Sequence, residues 1–459
     1  MAKEKLKTIY VCTNCGEVYH RWQGQCSSCR EWNTIVEDVI DTSTPANDKK
    51  SITSAYKPLE FNQLSDVDAD DNKNRIKTGI GELDRVLGGG IVRGSGMLIG
   101  GEPGAGKSTL LLQVCGNLCS NYDVMYVSGE ESVSQIKLRA NRLGIDGKNI
   151  SIASENDVFA ICRSIEHFKP DVLVIDSIQT MNCSTVSSSP GSVSQVRECT
   201  SLLLGTAKKC DTALFIVGHV NKDGAIAGPK VMEHIVDTVL YFEGDKMLPY
   251  RVLRSSKNRY GSTNEIGMFD MSSKGIVEIK NPSMMLLEGR GVDVSGSCVT
   301  CVIEGSRPIL TEIQSLATKT SFGTARRTAA GIDYNRLNLL LAVLEKRAGF
   351  FIQNIDIYLN VVGGLELEET SIDLAVILSI FSGLTDKAIP DDMVVFGEVG
   401  LGGEVRNVVN VDLRLKEIQR LGFRQVIIPS QGLKQINKDD YDLEIYGVNN
   451  VRQAIALLQ

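Results

Sequence analysis

No stretch of the 459-residue chain approaches the roughly 20 consecutive apolar residues that cross a bilayer. The lysine-bearing N-terminus, MAKEKLKTIY, has no apolar signal-peptide core behind it. These absences point to a cytoplasmic protein with no membrane partner. Histidine is scarce, four residues in all, which argues against a His-rich metal site. Cations are not in excess either, and a formal net charge of −7 excludes a surface coated in positive charge. Nucleic acid is not thereby excluded, because binding needs a local basic track rather than a basic average. What remains is 42% hydrophobic and 23% charged, a soluble globular composition long enough for two or three domains with cores of their own. Of twelve cysteines, four cluster near the N-terminus and the others scatter through apolar segments, where they read as small core residues. Cys298 and Cys301 (CVTC) lie in a strand-like run and read the same way, not as a redox pair.

The N-terminal cluster is YVCTNCGEVYHRWQGQCSSCREWN, residues 10–33, with one CxxC at Cys12 and Cys15 and a second at Cys26 and Cys29. Each CxxC wraps its backbone so that both sulfurs reach one ion, and four thiolates suit tetrahedral Zn²⁺ in a closed structural site. So small a module cannot bury a core, so the metal should supply much of its folding energy. The expected organisation is a four-Cys zinc finger over 1–36, a polar linker over 37–60, an ATPase domain over 61–284 and a further domain over 285–459.

GMLIGGEPGAGKSTLLLQVCGNL is an apolar strand, a glycine-rich loop and an amphipathic helix. Gly101 to Ser108 fit GxxxxGK[ST] in the strand–loop–helix context the motif needs. Gly101, Glu102, Pro103, Gly104, Ala105, Gly106, Lys107, Ser108 and Thr109 form the expected ATP cradle. Backbone N–H groups close around phosphate oxygens, Lys107 reaches the β/γ-phosphates and Ser108 ligates Mg²⁺. The strand in YDVMYVSGEES ends at Glu130 and Glu131, and PDVLVIDSIQ ends its strand at Asp176, the expected magnesium-side carboxylate. ALFIVGH adds another buried strand ending at His219. Parallel strands with intervening helices make an α/β doubly wound core.

A glutamate closing the strand after the P-loop helix, followed by VIDS, resembles the RecA-type ATPase core. That resemblance implies Glu130 as the catalytic base that polarises the attacking water, with Glu131 as the other choice. It also implies DNA-facing loops at 181–196 and 221–233. Together with the four-Cys knuckle and the KNRYG stretch at 257–261, the chain resembles the RadA (Sms) family of bacterial DNA-repair proteins from the knuckle to the C-terminus. The resemblance implies a ring, expected to be a hexamer, that moves on single-stranded and branched DNA and promotes branch migration beside the RecA recombinase. KNRYG follows the motor core where a RecA-like subunit faces its neighbour. Lys257 and Arg259 are therefore expected to reach the adjacent subunit's ATP, with Asn258 and Gly261 shaping the turn and Tyr260 packed beneath it. The competing reading has the two cations holding DNA phosphates.

The last third, with a helix at 331–349, a strand at 354–364, a helix at 370–384, a hairpin at 394–408 and a closing helix and strand, resembles the α+β proteolytic domain of Lon. Lon's Ser–Lys dyad uses serine as nucleophile and lysine as base. Ser371 falls near the serine position, but aligned on GFRQVIIP the lysine position holds Asp412, with Arg414 and Lys416 out of register. Neither a carboxylate nor a guanidinium serves as that base, so the domain is expected to be a non-proteolytic scaffold. Arg326, Arg327, Arg336, Lys346 and Arg347 are its expected basic surface toward DNA. The rival readings are a RecA-like DNA-binding ATPase without helicase activity and an ATP-dependent protease.

Overall fold

The computed structural model describes residues 6–13, 17–41, 75–219, 231–243, 250–320 and 323–459. The chain divides into two compact units between Ile279 and Lys280.

In the first unit, β1 (Leu6–Cys12), β2 (Val18–Tyr19) and β3 (Ile35–Asp41) form a small antiparallel sheet in the order β2-β1-β3. Strand β3 runs on past residue 36, beyond the expected end of the finger. The ATPase portion opens with β4 (Arg75–Ile76), α1 (Gly81–Val86) and β5 (Ile91–Val92), the two strands paired. It continues through β6 (Gly96–Gly101), α2 (Lys107–Leu118), β7 (Val124–Ser128), α3 (Val133–Arg142), β8 (Ile150–Ser154), α4 (Val158–Phe168), β9 (Val172–Asp176), α5 (Val193–Lys209) and β10 (Ala213–His219). Strands β11 (Thr238–Glu243), β12 (Tyr250–Asn258), β13 (Ile266–Ser272) and β14 (Gly275–Glu278) complete it.

The sheet order is β14-β13-β12-β11-β6-β10-β9-β7-β8. From β11 to β8 every pairing is parallel, and β12 to β14 extend it antiparallel. The expected parallel α/β core is present, with a meander added at one edge. Its central strands read as unbroken apolar runs because helices cover both faces. Alternate residues serve opposite cores: Val172, Val174, Phe215 and Val217 pack with Leu111 and Val114 of α2, while Leu173, Ile175, Leu214 and Ile216 pack with Ile161 and Ile165 of α4 and Leu203 of α5. Of the expected loop 181–196, residues 181–192 lie outside the named helices and strands and lead into α5. Val193 to Val196 begin α5, and the buried Gln195 amide donates to the carbonyls of Cys183, Val186 and Ser188. Of the other expected loop, 221–230 lie outside the described residues.

The second unit holds α6 (Pro282–Leu287), β15 (Ser297–Glu304), β16 (Arg307–Lys319), β17 (Arg327–Ala330), α7 (Tyr334–Val343), β18 (Ile355–Val361), α8 (Asp373–Thr385) and β19 (Met393–Val395). Then come β20 (Glu398–Val399), β21 (Val405–Arg406), α9 (Val411–Arg420), β22 (Gln425–Pro429), β23 (Glu444–Val448) and α10 (Val451–Ala456). Its mixed sheet runs β17-β18-β16-β15-β19-β22-β23. The hairpin expected over 394–408 is reduced to β20 and β21, because Met393–Val395 joins the main sheet between β15 and β22. Cys298 and Cys301 are buried in β15 as core residues, and burial pushes the Cys301 thiol up to about 12.

Candidate functional site

Strand β6 is buried throughout and delivers the glycine-rich loop to the edge of the sheet. Gly101 has φ 153° and a Cβ there would stand 2.5 Å from the Phe242 carbonyl oxygen, so only glycine fits. Gly106, at φ 107°, turns the chain into α2. Lys107 opens that helix and is only 3% exposed. Its Nζ donates to the carbonyls of Gly101 at 2.8 Å and Glu102 at 2.9 Å, and lies 3.3 Å from His219 Nδ1. Burial pushes the ammonium down to about 8, against the attraction of Asp176 and Glu130.

His219 ends β10, the parallel neighbour of β6, and so stands beside the loop. Its Nε2 is 3.2 Å from Glu130 Oε1. An imidazole protonated at Nε2 satisfies both contacts, accepting from the lysine at Nδ1 and donating to the glutamate at Nε2. The same Glu130 oxygen also accepts from the Ser177 hydroxyl. The bond with His219 and then that with Ser177 hold the Glu130 carboxyl down at about 2, against the opposing effect of burial. Of the adjacent glutamates, Glu130 is the one brought toward Lys107, whereas Glu131 turns to Arg139 at 2.8 Å. Sequence reasoning noted His219 only as a strand end. The signal available was its place closing an apolar run at the same sheet edge as the P-loop.

Asp176 ends β9 at 4% exposure. Its Oδ2 accepts from the Tyr126 hydroxyl, while Oδ1 has no hydrogen-bond partner among the described residues. A buried anionic oxygen without a donor suits a cation, and Ser108 in the first turn of α2 supplies a hydroxyl of the kind Mg²⁺ takes. The donor set fits that ion.

At the N-terminus, the sulfurs of Cys12, Cys26 and Cys29 lie within 4.8 Å of one another, Cys12 and Cys29 at 3.6 Å. Two thiolates on a tetrahedral ion, each about 2.3 Å from it, stand roughly 3.8 Å apart. The cluster therefore fits one metal ion. Cys15, the expected fourth ligand, lies outside the described residues.

The KNRYG stretch completes β12 and turns back on its own chain. Lys257 Nζ donates to the carbonyls of Glu233 at 2.6 Å and Val236 at 2.9 Å, and its pKa is lowered by burial and by Arg259. Arg259 lies 3.5 Å from the buried Asp237. Asn258 bonds the Val86 carbonyl and caps the Tyr260 N–H, and Gly261 abuts Gly88, as expected of turn-shaping residues. Tyr260 is exposed at 36% rather than packed beneath the turn.

In the second unit the residue facing Ser371 is Arg414, not Asp412. Arg414 is fully buried, with Nη1 3.3 Å from Ser371 Oγ and further bonds to the carbonyls of Cys301 and Val409 and to the Glu369 carboxylate. Asp412 is solvent-facing, bound by Lys416 at 2.9 Å and Tyr441 at 2.5 Å. Positions two apart on a helix lie on opposite sides of it, and the core takes the Arg414 side. Among the expected basic residues, Arg336 is paired with the buried Asp373 and Arg327 donates to the carbonyls of Ile352 and Ile355, so neither projects as a bare cation.

Three family profiles match parts of the chain: the KaiC ATPase over residues 76–161, a rubredoxin metal-binding domain over 10–37, and subunit ChlI of Mg-chelatase over 336–432. Over 460 residues the chain is 49% identical to DNA repair protein RadA of Bacillus subtilis (strain 168), covering 99% of each. It is 47% identical to DNA repair protein RadA of Listeria monocytogenes, again covering 99% of both. A KaiC-like protein of Pyrococcus horikoshii OT3, of solved structure, is 21% identical and covers 45% of this chain and 98% of its own, with a TM-score of 0.38.

Proposed function

The chain belongs to the RadA family of DNA repair proteins, and from that membership we propose that it is a cytoplasmic, DNA-dependent ATPase working as a ring-shaped motor on single-stranded and branched DNA. In this reading it promotes branch migration of recombination intermediates alongside the RecA recombinase, and its ring is a hexamer. No helix among the described residues is long and apolar enough to cross a membrane.

The observation that carries the reading is the Lys107–His219–Glu130 relay set beside Asp176. ATP phosphates would displace the two loop carbonyls from Lys107, whose charge then meets theirs. Glu130, ionised across the physiological range, takes a proton from the attacking water as its oxygen bonds to the γ-phosphorus. The bond to the β-phosphate oxygen breaks and ADP leaves with that electron pair. Asp176 and Ser108 would hold Mg²⁺, which neutralises the charge developing on the phosphates. His219 touches both ends of this arrangement, so phosphate arrival at Lys107 alters the hydrogen bonding of the base. Arg259 serves either the neighbour's ATP or DNA phosphates, from a turn that Lys257 holds. Zn²⁺ in the N-terminal cluster is structural.

The C-terminal unit acts as a scaffold and not as a protease. Support comes from Arg414, an always-charged guanidinium, occupying the space against Ser371 where a neutral amine would be needed.

The test measures ATP hydrolysis and forked-DNA unwinding with and without single-stranded DNA. Stimulated hydrolysis with unwinding is expected. Hydrolysis with no unwinding by assembled rings would favour a DNA-binding ATPase that is not a helicase.

A further inference from the structure

A second hydrogen-bonded chain ends on Asp176. Tyr126 stands in the middle of β7, beside β9, and is fully buried. Its hydroxyl donates to Asp176 Oδ2 and accepts from Arg139 Nη2 at 3.0 Å. The direction is fixed by chemistry. A guanidinium can only donate, so the tyrosine must accept from Arg139 and has its single proton left for the aspartate. Arg139, on α3, is held in turn by Glu131 at 2.8 Å. The far oxygen of Asp176, Oδ1, is left with no hydrogen-bond partner among the described residues.

We propose that Tyr126 is a positioning residue for the metal site, one that clamps Asp176 by Oδ2 so that Oδ1 is presented to the magnesium of the nucleotide, with Arg139 setting the hydroxyl's orientation. The inference rests on the reading of Asp176 as the magnesium-side carboxylate. A carboxylate held by one oxygen cannot swing its free lone pairs away from the ion. Partners behind a metal ligand commonly account for 10–100-fold in metal affinity. Because Arg139 is tied to Glu131, the residue next to Glu130, the clamp also joins the strand end bearing the proposed base to the metal carboxylate.

Tyr126→Phe keeps the ring in the core and removes only the hydroxyl. The full-length protein is titrated with Mn²⁺ in the presence of a non-hydrolysable ATP analogue, followed by electron paramagnetic resonance. Nucleotide affinity in EDTA and the thermal melt are measured in parallel. The expected result is about tenfold weaker Mn²⁺ binding in Tyr126→Phe with unchanged metal-free nucleotide affinity, and a smaller loss in Arg139→Lys. Asp176→Asn separates the two ideas. If Asp176→Asn loses Mn²⁺ affinity while Tyr126→Phe stays within twofold of wild type, the clamp is wrong and the ligand stands. If Asp176→Asn binds Mn²⁺ normally, the ligand reading falls and takes the clamp with it. Should Tyr126→Phe fail to fold, Arg139→Lys decides, and unchanged Mn²⁺ binding in it overturns the proposal.

Discussion

Raising the pH should weaken ATP binding through one residue. Lys107 is nearly buried and donates to two carbonyls, and its pKa lies at about 8 in the free protein. Bound phosphates surround the same ammonium with negative charge, so in the complex it stays protonated throughout the range considered. Binding above pH 8 therefore requires taking up a proton. Affinity falls by the factor 1 + 10^(pH − 8), roughly 1.3 at pH 7.5 and roughly 33 at pH 9.5, a net loss of about 25-fold. The ATP phosphates are already fully ionised over this interval and add no slope of their own. The sign for the fold runs the other way. The unfolded chain holds this proton up to the ordinary lysine value near 10.5, so the buried cation costs stability below pH 8 and that cost fades toward 10.5. Nucleotide titration at pH 7.5, 8.5 and 9.5 reads the affinity, and calorimetry in two buffers of different ionisation enthalpy reads the proton. Lys107→Arg, charged at every pH used, should bind with no such slope whatever its absolute affinity. A flat wild-type profile over the two pH units would refute the argument.

Glu130→Gln should retain ATP binding and lose hydrolysis by 100-fold or so, as expected for removal of a general base; normal turnover there with loss in Glu131→Gln would move the base by one residue. Elemental analysis should find about one Zn²⁺ per chain, lost in Cys12→Ala or Cys29→Ala along with order in residues 10–33, and zinc-free protein purified without chelator would end that idea. Arg414→Ala leaves Glu369 and two carbonyls without their cation, a cost of about 3 kcal/mol, or roughly 6–12 °C in the melting of the C-terminal unit seen by calorimetry; a shift under about 2 °C, or peptide cleavage abolished by Ser371→Ala, would contradict the scaffold reading. Mixed rings of Lys107→Ala and Arg259→Ala subunits should regain ATPase that neither variant has alone, and no recovery in rings verified as mixed would count against action in trans.

Motifs whose chemistry is fixed by short spacing were legible. The CxxC pairs bring three sulfurs together as expected, and the P-loop lies where the strand–loop–helix pattern puts it. Residues joined only by the sheet were not. His219 reaches Lys107 across 112 positions because β10 lies beside β6, a neighbour relation no local pattern carries. Tyr126 reads as one more apolar strand residue until β9 lies next to β7 and puts Asp176 within reach of its hydroxyl. The choice between Asp412 and Arg414 failed for a helical reason. Alignment by sequence picks a position, whereas the fold picks a face, and the buried face of α9 carries Val411, Arg414, Leu415 and Ile418. Nor does the serine-rich composition of 181–196 show that one buried amide, Gln195, supplies bonds that organise the segment.

The two cations of KNRYG are not equivalent, and their difference bears on what the stretch can do. Lys257 holds the carbonyls of Glu233 and Val236, the end of the segment that leads out of 221–230 into β11. Removing it would leave those acceptors to find other donors, so its loss perturbs the chain's own turn before it perturbs any partner. Arg259 sits differently. More than half its side-chain surface is exposed, and its carboxylate partner, Asp237, is 3.5 Å away and already served by Lys208 and by the Gly96 N–H. A guanidinium so placed can leave Asp237 without stranding it, and reach a phosphate supplied from outside the chain. Gly96 begins β6, the strand that ends in the P-loop. A change of partner at Arg259 is thus felt at Asp237, and through Gly96 by the strand that leads into the P-loop. The stretch that gathers positive charge in an acidic chain is in this light an anchor and a reach: Lys257 fixes the turn from which Arg259 extends.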